Sequence, residues 1–347
     1  MENPAGELTP CDRLYLERAY ELATRGAGST APNPPVGAVV VRDGRAVGEG
    51  YHRRAGEAHA ERIALERAGS LARGATLYVS LEPCRHHGRT PPCTQAVLDA
   101  GIARVVAGTK DPTGHGGAHD LRDAAVAVTI AGDPQARELI EAFAVAHASD
   151  RPYVALKMAA SLDGMVASRP GIAQRIGSDA EARYVRDLRT RFDAVLVGAA
   201  TVRIDDPQLT VRPHHDRARP YVRIVARGRQ PIPPRSRIFE SVDGYDETIV
   251  LSPEAGAERV DLETALPALR ARGIYSVLCE GGPRLAAGLL AGRLVDRIYW
   301  ALAPRFLQRP GAVPALSGCD VSRVGLYFDR VERVGSDVMI SGVPNDV

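Results

Sequence analysis

The chain has 347 residues, which predicts two domains because a single hydrophobic core stops growing at about 250–300 residues. Its 45% hydrophobic and 25% charged residues exclude a disordered or collagen-like chain. Lys and Arg total 44 against 42 Asp and Glu, and the resulting net charge of +2 argues against nucleic acid as a partner.

The sequence carries no signal for membrane insertion or export. No apolar run approaches the ~20 residues of a membrane span, and the first residues, Met1 to Pro4, begin neither a signal peptide nor a transit peptide. We therefore expect a cytoplasmic protein without a membrane partner. An odd number of scattered cysteines argues against a disulfide framework. They are Cys11, Cys84, Cys93, Cys279 and Cys319.

Helix and strand signals alternate along the first half of the chain. Residues 12–25 have helical spacing, residues 36–41 have the pattern of a buried strand, and Asp43-Gly44 is a hairpin signal. Further helices are predicted at 57–68, 93–100 and 134–147, and further strands at 75–81, 102–108 and 126–130. The alternation of helices and strands from residue 57 to residue 108 is typical of βαβ units with parallel strands.

The segment Asp150-Arg151-Pro152 is the predicted boundary between a first domain, residues 1–149, and a second domain, residues 150–347. The second half also has an α/β pattern, but it does not repeat the first half. Its predicted strands cover 153–158, 194–197, 222–226, 248–251 and 275–279, and its predicted helices cover 179–191 and 284–290.

A histidine and two cysteines in the first half form a candidate metal site. His59 opens a predicted helix, Cys84 follows a predicted strand, and Cys93 starts another helix, where the helix dipole favours a thiolate. One imidazole and two thiolates are a typical zinc ligand set. Three protein ligands leave a fourth position for water, as in catalytic sites.

Glu61 lies two residues after His59, so the two side chains diverge on a helix and Glu61 can face a metal-activated water as a proton shuttle. The pattern is close to the deaminase signature H-x-E followed by P-C-x-x-C, but here eight residues separate the cysteines. It predicts hydrolytic deamination. The alternatives are ordinary buried side chains, or a structural zinc with His86 or His87 as fourth ligand.

Several distinctive runs are spread along the chain. They are Pro32–Gly37, Gly50–His52, Leu81–Cys93, Leu156–Gly164, Thr201-Val202, Asp205-Asp206-Pro207 through Arg212, and Glu280–Pro283. Together these runs closely resemble the bifunctional deaminase/reductase family of riboflavin biosynthesis, and the resemblance covers nearly the whole chain.

The resemblance implies an α/β protein in which a cytidine-deaminase-like α/β/α zinc domain precedes a dihydrofolate-reductase-like domain. It implies hydrolytic deamination of 2,5-diamino-6-(ribosylamino)-4-pyrimidinone 5′-phosphate, then reduction of the ribosyl group to ribityl. The implied cofactors are Zn²⁺ and NADPH, and the implied partner is this phosphorylated pyrimidine. Two-domain enzymes of this type commonly form symmetric homo-oligomers, so a dimer or tetramer is expected.

The same resemblance implies roles for individual residues. Zinc is held by His59, Cys84 and Cys93, with Glu61 as proton donor. Substrate contacts in the deaminase fall on Asn33, His52, His87 and Arg89. Substrate contacts in the reductase fall on Arg189, Leu209, Arg212 and Glu280. Lys157 lies on a strand expected to border the cleft, where it either contacts the substrate or pairs with a structural carboxylate. Cofactor contacts fall on Ala159, Arg175, Thr201, Asp205, Gly281 and Gly282.

Residue chemistry supports some of these roles and leaves others open. The guanidinium groups of Arg189 and Arg212 suit a phosphate clamp, and Gly281-Gly282 before a helix lets a phosphate approach the helix N-terminus. The alternatives are surface arginines and a simple turn. His52 and Arg89, like His87, fit either a phosphate contact or exposed loop charges.

Three segments depart from the family pattern. They are Asp111–Gly117, Ala173–Arg175 and Ala226-Arg227, at the rim of the deaminase pocket and in the reductase pocket. A paralogue that acts on a related pyrimidine with a weak or lost reductase is therefore an alternative. A zinc-stabilised binding module without catalysis is another.

Overall fold

The computed structural model describes residues 8–87, 91–211, 217, 219–241 and 246–346. The chain divides into two compact units, Met1–Ala148 and Ser149–Val347. Each unit has its own buried clusters of apolar side chains. In the part of the chain that is described, no helix is both long enough and apolar enough to cross a lipid bilayer.

The first unit is a five-stranded sheet with helices on both faces, in the strand order β2-β1-β3-β4-β5. Strand β1 is antiparallel to β2 and β3, whereas β3, β4 and β5 are parallel. The elements are α1 Pro10–Thr24, β1 Gly37–Arg42, β2 Arg45–Tyr51, α2 Ala60–Ala68, a 3-10 helix Gly69–Ala72, β3 Thr76–Leu81, α3 Cys93–Asp99, β4 Arg104–Thr109, α4 Ala118–Asp123, β5 Ala127–Ile130 and α5 Pro134–Ala148.

Alternation along β1 explains why both faces of this sheet are covered. Ala38 and Val40 belong to the cluster with α2, whereas Val39 and Val41 belong to the cluster with α1. Successive side chains of a strand point to opposite faces, so an unbroken apolar strand needs helices on both sides. The result is the α/β/α arrangement that the resemblance implied.

Two predictions for this unit need comment. The hairpin at Asp43-Gly44 is confirmed, because both residues have positive φ and the turn joins antiparallel β1 and β2. The parallel strands expected of the βαβ pattern are confirmed for β3 and β4, which α3 connects. A two-residue turn reverses the chain, so β1 and β2 pair as neighbours without a crossover helix.

Two glycines of β2 lie directly beneath α2. A Cβ atom at Gly48 would lie 2.1 Å from the carbonyl oxygen of Ala64, and one at Gly50 would lie 2.5 Å from that of Ala60. Both distances are far below van der Waals contact, so only glycine fits at these positions. Helix α2 therefore lies against the backbone of β2, and this contact fixes the height of its N-terminus, where Glu61 is located.

The second unit contains an eight-stranded sheet in the order β10-β9-β8-β11-β6-β12-β15-β14. The first six strands in this order are parallel to one another, whereas β15 is antiparallel to both of its neighbours, β12 and β14. A small sheet pairs β7 with β13. The elements are β6 Tyr153–Ser161, β7 Met165–Ala167, α6 Asp179–Arg189, β8 Ala194–Gly198, α7 Ala199–Asp205, β9 Tyr221–Ala226, a 3-10 helix Arg237–Phe239, β10 Asp246–Leu251, α8 Leu262–Ala271, β11 Ser276–Cys279, α9 Pro283–Ala291, β12 Arg297–Ala303, β13 Val313–Pro314, β14 Val324–Val334 and β15 Asp337–Asp346.

The five strands and two helices predicted for this unit are all present, with small differences at their ends. The sequence reasoning did not predict the C-terminal strands β12, β14 and β15. Strand β14 lies at the sheet edge and none of its residues is fully buried, so its sequence has no clear alternation of apolar and polar residues.

A buried carboxylate ties α1 to two strands of the first unit. Asp12 accepts hydrogen bonds from the hydroxyl of Tyr78 at 2.8 Å and from two nitrogens of Arg104 at 2.7 and 3.1 Å. Its side chain also caps the helix by accepting from the Thr9 backbone N–H. Burial would raise the pKa of Asp12, but Arg104, Thr9 and Tyr78 together hold it well below its usual range.

We expect Asp12→Asn to lower the free energy of unfolding by about 2 to 4 kcal/mol at pH 7, because the amide leaves Arg104 without its anion. The folded-state pKa of Asp12 is depressed, so this stabilisation is present above about pH 4 and is lost progressively at lower pH. Urea unfolding followed by circular dichroism measures both effects.

The control for this experiment is Asp43→Asn, which changes an exposed carboxylate in the hairpin turn. It should alter the unfolding midpoint little at either pH. A difference between Asp12→Asn and the unmodified protein that stayed constant from pH 7 to pH 3 would show that the charge of Asp12 is not the source of the stability.

Candidate functional site

Three elements of the first unit bring the candidate metal ligands together. His59 is the N-cap residue of α2, Cys93 is the first residue of α3, and Cys84 follows β3 in the loop between them. His59 Nδ1 lies 3.2 Å from Cys93 Sγ and 3.7 Å from Cys84 Sγ. All three ligand atoms lie within 4.8 Å of one another.

This cluster fits a zinc ion. Tetrahedral zinc with Zn–N near 2.0–2.1 Å and Zn–S near 2.3 Å sets nitrogen and sulfur ligands roughly 3.5 Å apart, between the two observed distances. Neither His86 nor His87 belongs to the cluster as the structure describes it. Three protein ligands are typical of a catalytic site, and the alternative of a structural site with either histidine gains no support.

The two thiols interact closely. A hydrogen bond from Cys93 and the proximity of His59 lower the pKa of Cys84, against the effect of burial. The same contact with Cys84, together with burial, raises the pKa of Cys93. A coordinated zinc ion would deprotonate both.

Glu61 lies beside the cluster but outside it. The residue is only 4% exposed, and its Oε2 atom is buried without a hydrogen-bond partner among the described residues. Burial first, and then the negative charge of Cys84, raise the pKa of this carboxyl group. A carboxylate oxygen kept free of internal partners is suited to exchange a proton with a ligand.

The cluster opens into a cavity of about 470 Å³ within the first unit. It brings together His59, Glu61, Cys84, Asn33 and His52, all of which the sequence singled out. The other lining residues are Pro32, Pro34, Val36, Ala55, Gly56, Glu57, Leu81, Glu82, His86, Asp111, Thr113, His115, Phe143 and His147.

His52 and Asn33 form a pair in this cavity. His52 is 2% exposed, and its Nδ1 lies 3.1 Å from the carbonyl oxygen of Ala58, so Nδ1 carries the proton and donates. Its Nε2 then accepts from Asn33 Nδ2 at 3.2 Å. Burial lowers the pKa of His52, so the ring is neutral at neutral pH. This arrangement orients the amide of Asn33 and gives no support to a phosphate contact by His52.

The other two deaminase candidates are not among the residues that line the cavity as described. His87 is exposed and is not a lining residue, and Arg89 lies outside the described residues. Conversely, sequence reasoning missed Phe143 and His147 on α5, whose ring centroids lie 6.2 Å apart, and His115 in the loop after β4. The departure at Asp111–Gly117 was the only signal that pointed toward His115.

The candidate substrate residues of the second unit form two buried ion pairs. Arg189 donates from Nε and Nη2 to the carboxylate of Glu280 at 2.5 and 2.8 Å. Lys157 Nζ lies 2.5 Å from Glu181 Oε1, a partner that the sequence reasoning did not identify. The four side chains are only 7% to 16% exposed.

The pKa values of Arg189 and Glu280 favour a charged pair. Burial would raise the pKa of Glu280, but Arg189 and then Lys157 hold it below its usual range. Glu280 raises the pKa of Arg189 despite burial of the guanidinium. The clamp expected of Arg189 is therefore already engaged by a carboxylate, so a substrate phosphate would have to share or replace that partner. Arg212, the second clamp candidate, lies outside the described residues.

The candidate cofactor residues lie at the ends of parallel strands. A Cβ atom at Gly282 would lie 3.5 Å from Thr201 Oγ1, and one at Gly281 would lie 2.6 Å from Leu285. Gly282 is the N-cap of α9 and has no side-chain cap, so backbone N–H groups there are available to a phosphate group. Such a cradle at the carboxyl ends of parallel strands fits a dinucleotide.

The remaining candidates differ in burial. Ala159 is half-buried on β6, Leu209 is buried with a positive φ of 52°, and Asp205 is exposed at the end of α7. Arg175 is exposed and pairs with Asp179 at 2.7 Å. Arg175 lies in Ala173–Arg175, one of the three segments that depart from the family pattern.

Comparison with known proteins agrees with this architecture. Residues 9–109 match the family model of the cytidine and deoxycytidylate deaminase zinc-binding region, and residues 152–340 match that of the RibD C-terminal domain. The riboflavin biosynthesis protein RibD of Escherichia coli is 40% identical over 95% of this chain and 98% of its own length. RibD of Aquifex aeolicus is 37% identical over 95% of this chain and 97% of its own length.

Solved structures agree over nearly the full length. A diaminohydroxyphosphoribosylaminopyrimidine deaminase/5-amino-6-(5-phosphoribosylamino)uracil reductase from Thermotoga maritima superposes with a TM-score of 0.80 at 35% identity, and 96% of this chain and 99% of that chain are covered. RibD of Acinetobacter baumannii gives 0.77 at 34%, with 97% and 99% covered. The chain therefore belongs to the RibD family of bifunctional riboflavin-biosynthesis enzymes, in which a zinc-dependent deaminase is fused to an NADPH-dependent reductase.

Proposed function

We propose that the first unit deaminates a phosphorylated diaminopyrimidine, with Glu61 as its proton-transfer residue, and that the second unit reduces the ribosyl group of the product. One observation carries the deaminase assignment. The buried Oε2 of Glu61 has no hydrogen-bond partner among the described residues, and it lies beside the His59, Cys84 and Cys93 cluster in a cavity large enough for a pyrimidine.

In the deaminase, His59, Cys84 and Cys93 would hold zinc, which supplies the Lewis acidity that activates water. Glu61 Oε2 accepts a proton from the attacking water and returns it to the departing amino group. The ring carbon gains a C–O bond and loses its C–N bond, and ammonia leaves. The raised pKa of Glu61 suits a group that must both take up and release a proton near neutral pH.

Recognition of the ring would fall to Asn33. One amide hydrogen is directed to His52, which leaves the other N–H and Oδ1 for donor and acceptor contacts with a pyrimidine edge. His52 is then a positioning residue, because it acts on the substrate through Asn33. This division of roles follows from burial of the His52 ring.

We expect Glu61→Gln to retain zinc and to lower the rate of ammonia release by about 10²- to 10⁴-fold, the usual contribution of a general acid–base group. The matched control is Glu66→Gln, an exposed position on the same helix, which should release ammonia normally. Ammonia assay and elemental analysis give the two readouts. Normal ammonia release by Glu61→Gln would exclude Glu61 as the proton shuttle.

Removal of the metal should separate the two activities. A chelator, or Cys93→Ser, is expected to abolish zinc binding and ammonia release while NADPH oxidation with the deaminated ribotide continues. Cys319→Ser, an exposed cysteine, is the control and should bind one zinc ion per chain. A chain that loses zinc but still releases ammonia would contradict the proposed site.

In the reductase, NADPH supplies the hydride, and the protein positions cofactor and substrate. The Gly281-Gly282 turn lies next to Thr201, which supports a role of these residues in holding the cofactor phosphates. We assign contacts with the ribosyl group to Lys157 and Glu280, because each is a buried charged side chain paired with a residue of opposite charge.

Lys157→Met tests the reductase assignment. We expect kcat/KM for reduction to fall by roughly tenfold or more, while the rate of ammonia release stays unchanged. Lys110→Met, an exposed lysine of the first unit, is the control and should leave reduction unaffected. NADPH consumption measured at several concentrations of the deaminated ribotide checks this, and an unchanged kcat/KM would remove Lys157 from the substrate site.

One experiment distinguishes the proposed bifunctional enzyme from its two alternatives. Incubation of the protein with the diaminopyrimidine ribotide, with and without NADPH, followed by product masses, separates a bifunctional enzyme from a deaminase without reductase activity. Neither product would form if the chain were a zinc-stabilised binding module. The cytoplasmic location and the dimeric or tetrameric state expected from the sequence stay predictions.

A further inference from the structure

The loop between β4 and α4 is fastened at both ends by one carboxylate. Glu82, which is 7% exposed, accepts hydrogen bonds from the backbone N–H groups of Asp111 at 3.1 Å and Ala118 at 2.9 Å. Asp111 in turn accepts from the backbone N–H and hydroxyl of Thr113. The loop therefore has a fixed shape, and it is the same loop in which the sequence departs from the family pattern.

The middle of this loop is joined to the chain segment that carries Cys84. The Arg85 N–H donates to the carbonyl oxygen of His115 at 3.0 Å, and the Gly117 N–H donates to that of Pro83 at 2.8 Å. Cys84 and Gly116 form a β-bridge. The backbone of His115 is thus held in register with the zinc-ligating segment.

His115 and His86 present their rings together at the cavity. The ring centroids lie 4.9 Å apart at an interplanar angle of 51°, and both residues line the cavity while remaining exposed. A histidine ring always carries at least one N–H, so each ring can donate a hydrogen bond in either protonation state. Two adjacent donors at the cavity wall fit an anionic oxygen-rich group.

The other polar groups of the cavity already have partners within the protein, or they are carboxylates, which repel a phosphate group. The described lining contains no lysine or arginine, and its carboxylates are those of Glu57, Glu61, Glu82 and Asp111. His52 is buried in its contact with Asn33. His147 is packed next to Phe143 and has no second histidine beside it.

We propose that His115, paired with His86, binds the phosphate end of the deaminase substrate and so gives the deaminase its preference for a phosphorylated ribotide over the free riboside. The inference rests on the proposed deaminase function of this cavity. It assigns a specificity role to a residue of the divergent loop, whereas ring recognition remains with Asn33.

The test compares ammonia release from the ribotide and from its dephosphorylated riboside. For His115→Ala we expect the KM for the ribotide to rise roughly tenfold or more, as for loss of a hydrogen bond to a charged group, with kcat nearly unchanged. The KM for the riboside should not change. His115→Gln, which keeps an N–H donor, should recover part of the preference.

The matched control is His119→Ala, an exposed histidine on α4 that pairs with Asp123 and does not line the cavity. Its kinetic constants should equal those of the unmodified protein. Zinc content equal to that of the unmodified protein establishes that His115→Ala is folded around its metal site.

Each outcome separates this inference from the function on which it rests. Failure of the unmodified protein to release ammonia from either substrate would contradict the proposed function. Ammonia release by the unmodified protein, combined with an unchanged ribotide preference in His115→Ala, would overturn the phosphate assignment alone. A preference lost in Arg89→Ala but retained in His115→Ala would assign the phosphate to Arg89 instead.

Discussion

The deaminase half depends on one geometric requirement: an imidazole and two sulfur atoms must converge within 4.8 Å while a carboxylate stays close but uncoordinated. The fold meets it at one end of the sheet, where the N-terminus of α2, the end of β3 and the start of α3 meet. His59 lies just before the first turn of α2 and Glu61 lies within that turn. One helix start thus supplies both a metal ligand and the proposed proton carrier, and the two side chains do not compete for the same position.

In the second unit, buried charged side chains are stabilised by pairing with each other. Four buried charged side chains form two neutral pairs, Lys157 with Glu181 and Arg189 with Glu280. Isolated charges at this depth would be costly, so pairing keeps the unit stable before any ligand arrives. The same pairing weakens attraction for a phosphate, and binding must therefore rearrange existing contacts. Glu181 is the least expected member, since nothing in the sequence connected it to Lys157.

Sequence reasoning located the metal ligands and Glu61 because their chemistry is encoded by residue type and short spacing. It also found most helices and parallel strands, whose apolar periodicity is strong. Sequence reasoning failed where tertiary contacts determine the structure. The half-exposed strand β14 has no regular alternation of apolar and polar residues. Phe143 and His115 line the cavity although they are distant from it in sequence. The neutral tautomer of His52 follows from its burial and from the carbonyl of Ala58, neither of which a sequence displays.

The contact between β2 and α2 has a consequence for how this sheet edge can diverge. Gly48 and Gly50 place no side chain between β2 and α2, so the backbones of the strand and the helix are in direct contact. Even one methyl group there would lift the helix start by much more than the ~0.2 Å that a zinc coordination shell tolerates. A side chain at either position would displace α2 together with His59 and Glu61, so the packing of β2 against α2 and the geometry of the metal site cannot change independently.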